Sequence, residues 1–240
     1  MANFINKLLG EKYKKAFRPA AYKPLLPWLY EVFKQKGEGL YYSNLKATGS
    51  NFVANAIAKI AGLFNKKDQE DIPLSHSIII IYSENLQNCF TPSQWELVKE
   101  RWNYFYGGAV PLDNNIKLLV LASADKAGMD YFSFSQYELR EFSLRKANLN
   151  IIQQTVVTDF LVAINSKYYD YTGLVFWWLY KLCRFFGFLQ DKDSFYCSEQ
   201  IYEAMKQAGF YCAPVNNPSP LDIENYHLDL RFFVTPKFLK

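Results

Sequence analysis

SHSIIIIYS, residues 75–83, is the stretch whose reading decides the fold. Four consecutive isoleucines, Ile78–Ile81, leave no polar face, so they read as a strand buried on both sides at the centre of a sheet, with His76 at its entrance. Working outward, Leu40–Tyr42 in GEGLYYSN reads as a short strand and Lys117–Ala122 as another. Alternation in DYFSFS and LREFSL suggests two more, and LDLRFFVTP holds a late one.

Helical spacing marks the rest. Trp28–Gln35 reads as a helix, as does Phe52–Phe64, and Val156, Val157, Phe160, Leu161 and Ile164 form one helical face. Over Thr91–Tyr106 the start signals are explicit: Thr91 as N-cap, Pro92 at N1 and Gln94 completing a capping box, with Gly107-Gly108 as the stop. A helix first, then a small, mostly antiparallel sheet, then helices, is the order of an α+β fold. The expected organisation is a helical, basic extension over 1–35 and one domain over 36–240, with an inserted helix near 91–107.

Composition excludes several classes. At 50% hydrophobic, 18% aromatic and 21% charged, the chain is globular and not disordered. A net charge of +4 is too mild to imply nucleic acid. The four cysteines, Cys89, Cys183, Cys197 and Cys212, lie far apart with no CxxC, and the two histidines sit at distant positions, so neither a metal site nor a cofactor is expected. Reduced thiols are the default. MANFINKLLGEKYKK is broken by charge before any long apolar run, so no signal peptide is expected. The most apolar segment, Leu174–Leu189, carries Lys181 and Arg184 and falls short of the ~20 residues a spanning helix needs, so it reads as a core helix, with attachment to a lipid surface the alternative because aromatic residues sit on every side of it.

The chemistry centres on FYCSEQIYEAMKQAG, residues 195–209. Ile201, Ala204, Met205 and Ala208 recur at helical spacing and Gly209 ends the run, which places Cys197 at or near a helix N-terminus. There, unpaired N–H groups favour thiolate. A helix end contributes about 0.3–1 kcal/mol and one pKa unit is about 1.4 kcal/mol, so the dipole alone leaves the thiol largely protonated at pH 7. A basic partner is required, and the chain offers only His76 and His227. His227, in ENYHLDL, reads as a surface residue; Cys89 and Cys212 read as structural. Paired carboxylates, phosphate-binding glycine loops and GxSxG elbows are absent from the sequence.

The order of motifs resembles the circularly permuted papain-like amidases and peptidases, a branch of the bacterial cell-wall hydrolase superfamily that includes lecithin retinol acyltransferase-like enzymes. The likeness rests on Gly37-Glu38-Gly39-Leu40, the helix near 52–64, Ser75-His76 before the apolar strand, LVLASADKAGM, Tyr169-Asp170-Tyr171, Cys197-Ser198-Glu199 and SPLDIENY. It covers about residues 36 to 226. YDYTGLV is also similar to the nucleophile helix of unpermuted relatives, but the nucleophile's place there holds Tyr171.

The resemblance implies a permuted papain-like fold and a cysteine hydrolase of amide bonds, acting on peptidoglycan-like or related peptides. In it Cys197 is the nucleophile, His76 the base and Ser123 the residue that orients the imidazole. Ser123 stands where Glu or His is common in such enzymes, and Asp125 is the substitute if the turn returns it. The connection from Tyr82 to Ile116 is longer than the hairpin usual there. Two other expectations remain open: acyl transfer or lipid-ester cleavage by the same thiol, and a docking module without activity. A protein partner would use the N-terminal extension or the 82–116 insertion. The expected setting is the cytoplasm or a phage virion.

Overall fold

The computed structural model describes residues 25–46, 74–125, 128–137, 140–164, 167–173, 194–210 and 232–234, with Phe4, Lys7, Pro218, Pro220 and Ile223. The expected helix near 52–64, the apolar segment 174–189, His227 and most of the basic N-terminal segment lie outside them.

The class is α+β. Among the described residues six strands form one sheet: β1 (Gly39–Lys46), β2 (Leu74–Tyr82), β3 (Leu118–Asp125), β4 (Gly128–Ser133), β5 (Phe142–Lys146) and β6 (Phe232–Val234). Their order is β4-β3-β2-β1-β5-β6 and every neighbouring pair is antiparallel. In β2 every residue is buried except His76, as four adjacent isoleucines demand.

The strand expected over Leu40–Tyr42 runs on to Lys46. The polar Ser43 and Asn44 are both fully buried inside the strand. Side-chain bonds make this possible: Ser43 Oγ donates to Ser143 O (2.8 Å) and Ser77 Oγ donates to Asn44 Oδ1 (2.6 Å). A buried hydroxyl or amide without such partners would cost about 1–3 kcal/mol.

Among the described residues four α-helices cover the sheet: α1 (Pro27–Lys36), α2 (Pro92–Tyr106), α3 (Ile151–Ala163) and α4 (Cys197–Gln207). In α1, Leu29 and Phe33 stand one turn apart on the buried stripe. The Phe33 ring lies 5.3 Å from Tyr41 and 5.5 Å from Phe134, so α1 packs on the face that carries Tyr41, Ile80 and Tyr82. A boundary at residue 35 therefore falls inside an element of the core. On the opposite face, α3 shares a cavity with Leu40 and Ile81, and α4 packs beside α3 and against β2.

The inserted helix is α2, and its signals are all realised. Thr91 N–H donates to Gln94 Oε1 (2.9 Å), Gln94 N–H donates to Thr91 Oγ1 (3.3 Å), and Gly107 closes the helix at φ 62°. Trp95, Val98, Trp102 and Phe105 are buried, with Phe105 4.8 Å from Phe132 on β4. α2 is thus a packing layer over the sheet edge. A second capping box, Asn150 with Gln153, starts α3.

Removing the Thr91 hydroxyl leaves an N-terminal donor of α2 without its partner. Thr91→Ala is expected to cost about 1 kcal/mol, read as a lower denaturation midpoint at unchanged slope.

Candidate active site around Cys197

Cys197 is the first residue of α4 and is 2% exposed. The chain enters it through a parallel bridge between Tyr169 and Phe195, reinforced by Asp170 N–H donating to Phe195 O (3.1 Å). Past the thiol, Ser198 Oγ donates to Pro218 O (2.6 Å), and Glu199 Oε2 accepts from Tyr196 N–H at 3.5 Å. The helix start is thus held on three sides.

Three donors favour the thiolate, the Ser77 N–H, the Tyr169 hydroxyl and the Ser198 N–H, while the Ser198 hydroxyl donates its one proton to Pro218 O. Burial acts the other way and wins, pushing the Cys197 thiol above its ordinary value. Tyr169 is also pushed well up, by burial first and by the neighbouring sulfur second. The resting site holds a neutral thiol in a ring of donors aimed at a negative charge.

His76 is half-buried near the start of β2, opposite Leu45, with its ring 6.0 Å from that of Tyr137. Strand alternation turns its side chain to the α1 face, whereas Ser77 points to Asn44 on the α4 face. The structure therefore brings Cys197 to the backbone that carries His76, at the very next N–H. The imidazole it directs to the other face, toward Tyr137. Ser123 lies on β3 opposite Asp130, one step past Ile79–Ala122, where the β2–β3 pairing stops. Asp125 pairs with Gly128 at the hairpin end. The side chains of both lie outside the described residues.

Sequence reasoning gave no role to Tyr169, Asn44 or Ser77. The signals were present: a polar pair inside an apolar strand, and a tyrosine beside an Asp-x-x-Gly turn. In that turn Asp170 is fully buried and its Oδ1 accepts from Gly173 N–H (2.7 Å). A Cβ on Gly173 would stand 2.1 Å from Asp170 Oδ2, so the turn closes only around glycine.

Among the described residues no group of three or more His, Cys, Asp or Glu could hold a metal ion, and no helix is long and apolar enough to cross a membrane. Comparison with protein-family models, with curated proteins and with solved structures finds no match to this chain.

Two outcomes follow. Gly173→Ala is expected to destabilise the fold by about 1–3 kcal/mol through overpacking, measured by urea denaturation. Because folding raises the thiol pKa, the unfolded chain ionises first as pH climbs past about 8.5. Stability should then fall with rising pH, and Cys197→Ala should lose less than wild type between pH 8 and 10, where denaturation midpoints report it.

Proposed function

We propose that the protein is a cysteine hydrolase of amide bonds on a permuted papain-like scaffold, with a peptide of the cell-wall kind as substrate. The observation that carries the reading is the sulfur at the first turn of α4, in the reach of the Ser198 N–H and of the N–H of Ser77, the residue that follows His76 in the chain. Such a ring suits a sulfur anion on attack and, at the helix start, the oxyanion that follows.

In the reaction, the imidazole takes the thiol proton and Sγ attacks the carbonyl carbon. The tetrahedral oxyanion collapses, the amine leaves with the proton from His76, and water then hydrolyses the thioester with His76 as base. Ser123 orients the imidazole in this scheme. Because His76 packs 6.0 Å from the Tyr137 ring in the resting fold, the scheme requires the start of β2 to rearrange before the imidazole meets the sulfur. Burial keeps the thiol neutral until then, which limits unproductive oxidation. A cytoplasmic or virion setting fits a thiol enzyme of this kind.

One observation favours a docking module instead: burial holds the thiol neutral, and the imidazole packs beside the Tyr137 ring. Under that reading Cys197→Ala keeps the protein's full biological role.

The test is labelling by a peptide carrying a thiol-reactive electrophile, followed by mass mapping. Wild type should label at Cys197, and His76→Ala should label about a hundredfold more slowly, the scale of a lost general base. Equal labelling of the two would remove His76 from the chemistry and leave the docking reading.

A further inference from the structure

At the end of the sheet away from Cys197, β1 begins and β2 finishes beside the starts of α2 and α3. Together they enclose a half-open cavity of about 520 Å³. Ile81 lines it, and Ile81 stands four residue steps along β2 from Ser77, roughly 13 Å at strand spacing. It is therefore distinct from the thiol site. Its volume lies in the range of small-molecule sites and far above the ~30 Å³ share of one water.

The lining sorts into an apolar floor and a polar wall. Leu40, Ile81 and Phe90 supply the floor, while Asn88, Gln154 and Thr155 offer hydrogen-bonding groups. Three carboxylates reach the cavity, Glu38, Glu84 and Asp159, and no basic side chain lines it among the described residues. Glu84 is already matched: Lys117 pairs with it and the Tyr82 hydroxyl donates to it at 2.5 Å. Glu38 and Asp159 are not. Glu38 Oε1 accepts only from Glu84 N–H (2.8 Å) and Asp159 Oδ1 only from Gln94 Nε2 (2.7 Å), both neutral donors. Two carboxylates therefore stand on different walls, one at the start of β1 and one on α3, with no described cation against either.

A small metal ion does not suit them, because no described group of three or more such residues converges on one point. The geometry points to a binding site for an organic ammonium ligand, a primary amine on an aliphatic body. Its chain lies on Leu40 and Ile81, its ammonium donates to Glu38 or Asp159, and a second amine would span the two walls. Ile151, 75% exposed at the rim, extends the apolar surface such a chain would cross. The inference does not depend on chemistry at Cys197.

Cys89 lines the same cavity and is partly buried, so it reports occupancy. The experiment uses the full chain and 1,5-diaminopentane, with 1,5-pentanediol as the uncharged control. Calorimetry gives the affinity, and exchange of Cys89 with an aromatic disulfide, located by peptide mapping, gives the place. The diamine should bind at millimolar concentration or better and slow exchange at Cys89 in wild type and in Cys197→Ala alike, while the diol does neither. E38Q/D159N should weaken diamine binding at least about tenfold. Gln154→Trp, which fills the cavity and leaves both carboxylates, should also abolish it. Circular dichroism shows that each variant is folded. Protection by the diol equal to that by the diamine would overturn the ammonium assignment in favour of a neutral polyol. Diamine binding that survives both variants, or no diamine binding at all, would overturn the site.

Discussion

The docking of the α4 N-terminus onto the backbone of β2 is the contact on which the rest of the structure depends. A helix start carries unsatisfied N–H groups, and a strand whose ladder has ended carries another. Here one sulfur sits between them, taking the Ser198 N–H from the helix and the Ser77 N–H from the strand. Tyr169 closes the ring, and its bridge to Phe195 fixes the direction in which the chain enters the helix. Take that contact away and two elements more than a hundred residues apart in sequence lose their common point.

The sheet beneath is built to receive it. A row of polar side chains, Ser143, Asn44 and Ser77, crosses three strands in register under α4, and all three are buried. In an otherwise apolar sheet such a row has a cost that only mutual hydrogen bonding offsets, and Ser77 Oγ to Asn44 Oδ1 provides part of that. The opposite face is aromatic and apolar, with Phe33, Tyr41, Phe134 and Phe142 in edge-on contacts. One face of the sheet is thus a packing surface and the other a polar floor beneath the thiol. The residue between the two environments is His76, which belongs to the polar neighbourhood by sequence and to the aromatic face by side-chain direction.

Much of this was legible in the sequence. Ile78–Ile81 fixed a central strand because no other element tolerates four adjacent β-branched residues so readily. Thr91, Pro92, Gln94 and Gly107 fixed α2 because each signal is local chemistry that needs no tertiary knowledge. The same holds for α4, stopped by Gly209 at φ 69°. What escaped was long-range. The strand reading stopped at Tyr42 because the hydrogen-bond partners of Ser43 and Asn44 lie 100 and 33 residues away. Tyr169 had no visible role because its hydroxyl finds the sulfur only after Phe195 pairs beside it. Cys197 and His76 were read as partners from motif order, which places residues on elements but not on faces. One residue of strand parity separates a histidine facing the thiol from one facing Tyr137.

The central claim is that the Cys197 thiol and the His76 imidazole become a working pair when a peptide binds. The most direct measurement is a crystal structure of the full chain with a peptide aldehyde, read for the bond at Sγ and the position of the imidazole. The account predicts a thiohemiacetal at Cys197, its oxygen against main-chain N–H groups at the start of α4. A ring nitrogen of His76 should lie within about 3.2 Å of the adduct. A free thiol at saturating aldehyde, or an adduct with His76 still stacked toward Tyr137, would contradict it.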